Sequence, residues 1–245
     1  MLNIKFEKFK KTHKKKINQV LYYELKSNNS KEVENLINNF LQDKNSFIFE
    51  SVEKGKIKGR YTIVGLKPDK IWELNKKKIL QIEKTKKKII RKKPYPFLKN
   101  LIDKFNFNTP KDLPPMCSLL VGYFSYDIIR YIEKVPNTCK DDLNLPDVRL
   151  IRPKQLIIHD NLKKKIFFII NVFKDEKIYN YKKKYEEIKK ELFYLNIQSQ
   201  MKNVETSLEK QNKKPVIKSN TTKNKFIKIV KKAKKYIKIG DIFQV

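Results

Sequence analysis

Glycine, alanine, arginine and cysteine are all scarce in this sequence, and each scarcity removes a class of function. Five glycines in 245 residues include no run able to wrap a phosphate, which excludes a Gly-rich nucleotide loop. Cys117 and Cys139, the only cysteines, lack C-x-x-C spacing and neighbouring histidines, so they read as free thiols in a reducing compartment rather than a zinc or dithiol centre. There is no G-x-S-x-G elbow and no H-E-x-x-H, and the only two histidines, His13 and His159, read as surface residues. The longest apolar run, Ile166 to Phe173, is interrupted by Asn171 and is less than half the ~20 residues a membrane span requires. The basic N-terminus has neither the apolar core of a signal peptide nor the arginines of a transit sequence. A soluble, cytoplasmic protein without membrane contact is expected.

Positive charge is abundant instead, with 58 Lys and Arg against 26 Asp and Glu and a formal net charge of +32. Such a balance raises a lysine-dependent nucleic-acid binder as one reading, since clustered cations release counterions from phosphate. The kind of residue argues against it. Only Arg60, Arg91, Arg130, Arg149 and Arg152 are arginines, and Arg is the preferred reader of phosphate and guanine edges. A single alanine, Ala233, beside many Lys, Ile, Asn, Phe and Tyr has the look of A/T-rich codon usage, with lysines spread over a solvated surface. No nucleic-acid partner is expected.

A chain of this length can bury roughly 70% of its unfolded surface, enough for a core without staples. Periodicity predicts a helix near Phe6–Lys14, a strand over "QVLYYEL", and a helix over 30–43 with Ser30 as N-cap and Val33, Leu36, Ile37, Phe40 and Leu41 on one face. Four strands follow: "NSFIFESVE", "GRYTIVGL" and, after Pro68, "KIWELN" and "KILQIEK". "YPFLKNLIDKF" returns to helical spacing, and "PPMCSLLVGYFSYDIIRYIEKVP" reads as a buried strand and a helix bounded by Pro136. "RLIRPKQLIIHD" and "KKIFFIINVF" form a hairpin about Asn161, and Tyr181, Tyr185, Ile188, Leu192 and Leu195 mark an amphipathic helix. Residues 197–221 have no sustained period and read as a linker. Beyond it a helix carries Phe226, Ile229, Val230, Ala233 and Ile237 on one face, Gly240 ends it, and "DIFQV" reads as a strand.

Taken alone, the polar clusters have plain explanations. Asp141 and Asp142 are turn and capping residues rather than a metal site. Asp127, Arg130 and Glu133 stand three apart, the spacing of helical ion pairs. In "FESVE" and "GRYTI", Ser51 and Thr62 read as strand-edge polarity, with Glu50 pointing to water.

The order of motifs adds to this. "SFIFESVEKGKIKGRYTIVGLKPD", "VGYFSYDIIRYIEKVP", "DDLNLPDVRLI" and "AKKYIKIGDIFQV" together resemble the large, chorismate-using component of anthranilate synthase, from about residue 5 to the last residue. The related aminodeoxychorismate synthase shares the "GY…YD" and "GDIFQ"-like stretches. The run Gly59 to Gly65 is closer to the G-R-Y-S-F-I-G of anthranilate synthases.

The resemblance implies an α+β fold, a largely antiparallel sheet system covered by helices. It implies a regulatory domain over 1–196, a linker over 197–221 and the start of a chorismate-binding domain over 222–245, the chain being the front part of a longer protein. Catalytic residues and Mg²⁺ ligands of the family lie after the G-D-I-F-Q segment, so neither is assigned to this chain. The parent reaction is chorismate plus ammonia from a glutamine amidotransferase subunit giving anthranilate and pyruvate. For this part the resemblance implies feedback control, with tryptophan bound at Phe49, Glu50, Ser51, Tyr61 and Thr62. Here Phe49 stands for the family's second Leu and Thr62 for its Ser, keeping the first position apolar and the second a hydroxyl.

Overall fold

Two long strands organise the larger part of the molecule. β3 (Tyr61–Asn75) and β7 (Val148–Asp160) run antiparallel from the pair Tyr61↔Asp160 to the pair Leu74↔Val148. The computed structural model describes residues 2–27, 40, 44–50, 59–76, 78–138, 140–200 and 218–244 and divides into two compact units, Met1–Asn203 and Val204–Val245. In the first, the β3–β7 ribbon forms the middle of an eight-stranded antiparallel sheet of order β1-β8-β7-β3-β4-β5, where β1 is Gln19–Lys26, β8 Lys165–Val172, β4 Lys78–Glu83 and β5 Lys86–Ile90. The short strands β2 (Phe47–Glu50) and β6 (Val121–Phe124) attach to β3 and β7 respectively.

The ribbon thus carries two wings. Near Tyr61 and Asp160 it is flanked by β2 and by β8 with β1; near Leu74 and Val148 it is flanked by β4 with β5 and by β6. The first wing is buried on both faces. On one, α1 (Phe6–Lys14) and α3 (Tyr181–Gln200) cover Leu21, Val64, Ile157, Phe168 and Ile170, with Phe9, Ile188, Leu192 and Leu195 as the helical contribution. On the other, Val20, Ile63, Leu156, Ile158, Phe167 and Ile169 pack with Leu113 and Cys117. Burial on both faces explains why "IFFII" is apolar throughout instead of alternating. The second wing packs Trp72, Leu74, Ile79, Val148 and Leu150 against Leu98 of α2 (Pro94–Asp103).

Several expectations change. "GRYTIVGL" and "KIWELN" form one strand rather than two, because Pro68 lies opposite Pro153 and neither has an N–H for the ladder to lose. The register slips between Pro68 and Lys70, leaving Asp69 as a bulged residue, and Lys67 enters the irregularity at φ 45°. β5 was not anticipated. The segment after Pro114 forms the half-exposed to exposed strand β6 and a 3₁₀ helix, Tyr126–Tyr131, instead of a buried strand and an α-helix. Residues 241–244 are not a strand, and α3 continues to Gln200.

The helix over 30–43 lies outside the described residues except for Phe40, which is helical and buried; Cys139 also lies outside them. Arg130 does pair with Asp127 at 2.8 Å, and Asp141 accepts a hydrogen bond from the Asn144 amide as a turn residue does. In the second unit, α4 (Lys223–Lys238) begins at Thr222, whose hydroxyl accepts from the Lys225 amide, and ends before Gly240 at φ 84°.

The histidines are the clearest reversal. Neither is on the surface: His13 is 3% and His159 5% exposed. His13 lies between α1 and α3, its Nδ1 3.0 Å from the Tyr181 hydroxyl. Burial pushes its pKa below the ordinary 6.5, outweighing backbone acceptors at Phe173 and Glu176 and the Glu176 charge. The unfolded chain therefore takes up a proton that native His13 resists, so stability present at neutral pH is lost as pH falls below 6.5. Thermal unfolding between about pH 7.5 and about pH 5 checks this: the midpoint should fall with pH, and fall less in His13→Gln.

Candidate functional site

β2 docks beside the first half of β3 because Gly65 leaves room for it. A Cβ on Gly65 would stand 2.0 Å from Cε1 of Phe47, so the glycine seats the aromatic ring that anchors β2. The register then fixes every candidate residue: Phe47↔Gly65, Ile48↔Val64, Phe49↔Ile63 and Glu50↔Thr62.

Strand alternation divides the candidates between two faces. Phe49 and Tyr61 share one. The Phe49 ring is 5.1 Å from that of Phe47, while Phe47 and Tyr61 pack against the cluster containing Ile63, Leu156 and Phe167. Glu50 and Thr62 share the other. Thr62 pairs with His159 on its far side, so Glu50, Thr62 and His159 form one row across β2, β3 and β7. The row grades from water to core, with Glu50 exposed and Thr62 and His159 buried. Ser27, buried after β1, extends it, its Oγ 3.0 Å from His159 Nε2. Ser51 lies outside the described residues.

The row sets an exposed carboxylate, which can take an ammonium, beside a buried hydroxyl, which can donate to a carboxylate. His159, read from the sequence as a surface residue, is the member of this row that the sequence did not place. The available signal was the pairing of "GRYTI" with "LIIHD", which brings Thr62 and His159 opposite each other once the strand register is known.

The end of the ribbon is locked beside this row. Arg60 donates from Nε to Asp160 Oδ1 at 3.0 Å and from Nη2 to Oδ2 at 2.8 Å, and it stacks 4.7 Å from the Tyr61 ring centre. Asp160 also accepts from the Leu162 and Lys163 amides of the β7–β8 turn, at 3.1 and 3.0 Å. Burial pushes the Asp160 carboxyl up; the Arg60 guanidinium and the turn amides outweigh it and hold the pKa below the ordinary 3.8. The arginine of "GRYT" is therefore structural. Among the described residues no group of three or more His, Cys, Asp or Glu comes together as a metal site.

Two substitutions test this construction. Asp160→Asn removes the ionic half of a bidentate pair and should lower unfolding free energy by roughly 2 kcal/mol in denaturant titration. Gly65→Ala should expel Phe47 and loosen β2, seen as faster hydrogen exchange at 47–50.

The comparisons with known proteins bear on the family and the fold. A family model described as "chorismate binding enzyme" matches residues 44–245. The chain is 33% identical over 215 residues to anthranilate synthase component 1 of Acetivibrio thermocellus, covering 86% of this chain and 43% of that protein. It is 28% identical over 245 residues to the Cereibacter sphaeroides protein of the same name, covering 98% of this chain and 49% of that one. The crystal structure of anthranilate synthase component I from Streptococcus pneumoniae superposes with a TM-score of 0.56 at 20% identity, over 82% of this chain and 42% of that one, which establishes a shared fold. The chain spans less than half the length of these relatives. With the family model matched over residues 44–245 and the fold shared with the pneumococcal structure, this chain belongs to the chorismate binding enzymes.

Proposed function

We propose that this chain is the tryptophan-sensing N-terminal part of an anthranilate synthase component I. The parent enzyme converts chorismate and ammonia, supplied by a glutamine amidotransferase subunit, to anthranilate and pyruvate. The observation that carries the sensing role is the register of β2 on β3, which lines up Glu50 with Thr62 and His159 across one face. Glu50 is the partner for the ligand's ammonium, and the Thr62 hydroxyl for its carboxylate. Phe49 and Tyr61, on the opposite face, set how β2 sits and so where Glu50 stands.

The magnitudes allow it. An indole burying ~150–250 Å² at ~25 cal/mol per Å² contributes about 4–6 kcal/mol. Two charge-assisted hydrogen bonds add ~1.5–3 kcal/mol each, and after association losses binding in the micromolar range remains reachable. Feedback in the parent then requires that tryptophan bind an open arrangement more tightly than the one that closes on chorismate. In this reading the Mg²⁺ and chorismate ligands belong to sequence that follows the G-D-I-F-Q segment. The reaction is cytoplasmic.

Titration calorimetry with L-tryptophan tests the sensor. Saturable binding that favours the L- over the D-isomer and weakens at least about tenfold in Glu50→Ala or Thr62→Val is expected; equal binding of both isomers, or no effect of either substitution, contradicts it. The 245-residue chain should release no fluorescent anthranilate from chorismate and ammonia, and a detectable product would refute that assignment of the chemistry.

A further inference from the structure

The waist of the β3–β7 ribbon holds a cavity of 240 Å³, away from the Glu50 row and between the sheet and α2. This is room for a small ring-bearing molecule. Its walls are aromatic and aliphatic: Trp72 and Phe173 from the sheet side, Phe97 and Leu101 from α2, and Phe105 just beyond it.

The polar groups around it are unusual for a packing defect. Arg152 is 8% exposed, lies 3.8 Å from the centre of the Phe173 ring, and donates from Nε and Nη2 to Asp69 at 2.8 and 2.5 Å. Asp69 reaches it from the bulge after Pro68, the kind of irregularity that re-aims side chains. Lys70 pairs with Asp175 at 2.5 Å and Glu83 at 3.1 Å, and Asp175 also contacts Arg152. The Trp72 indole N–H is fixed on Gln81 Oε1 at 2.9 Å, which holds the ring as a wall. Arg152 and Lys70 are thus matched by Asp69, Asp175 and Glu83, while Lys104 and Lys174 also line the cavity. Four cations and one carboxylate, Asp175, line the cavity; Asp69 and Glu83 pair with Arg152 and Lys70 from outside the lining, so the surplus positive charge over the aromatic surface is that of Lys104 and Lys174.

We propose that this cavity binds a small ring-bearing monocarboxylate, with its ring among Trp72, Phe97, Phe105 and Phe173 and its carboxylate at Lys104 and Lys174. Lys104 and Lys174 stand outside these ion pairs beside the aromatic wall, where they can take a carboxylate. The only guanidinium is already held in a fork by Asp69, which leaves a phosphate without its bidentate partner.

Trp72 is the sole tryptophan of the chain, so its fluorescence reports occupancy of this cavity directly. Benzoate is the probe, with acetate as the carboxylate without a ring, benzamide as the ring without charge, and inorganic phosphate as the other anion. Benzoate should change Trp72 emission saturably, acetate, benzamide and phosphate should not, and Lys104→Glu/Lys174→Glu should weaken benzoate binding about tenfold or more. Leu101→Phe should block it without adding a second tryptophan, with the fold verified by circular dichroism. No saturable change with benzoate, an equal response to phosphate or benzamide, or unchanged affinity in the double lysine variant would overturn the proposal. Glu50→Ala should leave benzoate binding intact, which separates this cavity from the tryptophan site.

Discussion

The pairing of β3 with β7 is the constraint on which the rest depends, and arginine–carboxylate pairs hold it along its length. Arg60 joins Asp160 at one end, Arg152 joins Asp69 at the waist, and Arg149 joins Glu73 toward the other end. A buried ion pair is weak evidence for net stability, because desolvating both charges offsets most of their attraction. Its effect is on register: removing one partner strands a charge, so a slipped pairing is strongly disfavoured. Of the five arginines, Arg60, Arg130, Arg149 and Arg152 are committed to carboxylates within the fold, leaving lysine as the main source of the solvated positive charge.

From that ribbon the two candidate binding regions follow. Fixing Tyr61 against Asp160 places Thr62 between β2 and His159, which builds the polar row of the first wing. Fixing Asp69 on Arg152 forces the bulge that turns Lys70 toward Asp175 and opens the aromatic cavity of the waist. The polar row stands on strand residues whose neighbours are locked, whereas the cavity joins Trp72 of the sheet to α2 and to the turns at Lys104 and Lys174.

Much of this was legible in the sequence. Helical spacing located α1, α2, α3 and α4, and the Asn161 turn located the β7–β8 hairpin. What failed did so for physical reasons. Pro68 looked like a strand boundary because its partner, Pro153, stands 85 residues away and only the pairing shows that neither N–H is missed. β5 went unseen because Lys84 turns the chain at φ 54° where glycine or asparagine would signal a hairpin; Lys16, Lys76 and Lys164 occupy similar left-handed positions. His13 and His159 were misplaced because burial of a polar ring depends on partners distant in sequence, Tyr181 and Ser27. The family motifs gave Phe49, Glu50, Ser51, Tyr61 and Thr62 together, and only the register divides the described ones, Glu50 and Thr62 on one face and Phe49 and Tyr61 on the other.

The most direct test of the sensor lies in the strands themselves. Hydrogen exchange of the 245-residue chain with and without L-tryptophan should show slowed exchange centred on the amides of 47–50 and 61–65, with those around Trp72 unchanged. Protection confined to the waist, or none at saturating ligand, would contradict the placement of the tryptophan site at Glu50 and Thr62.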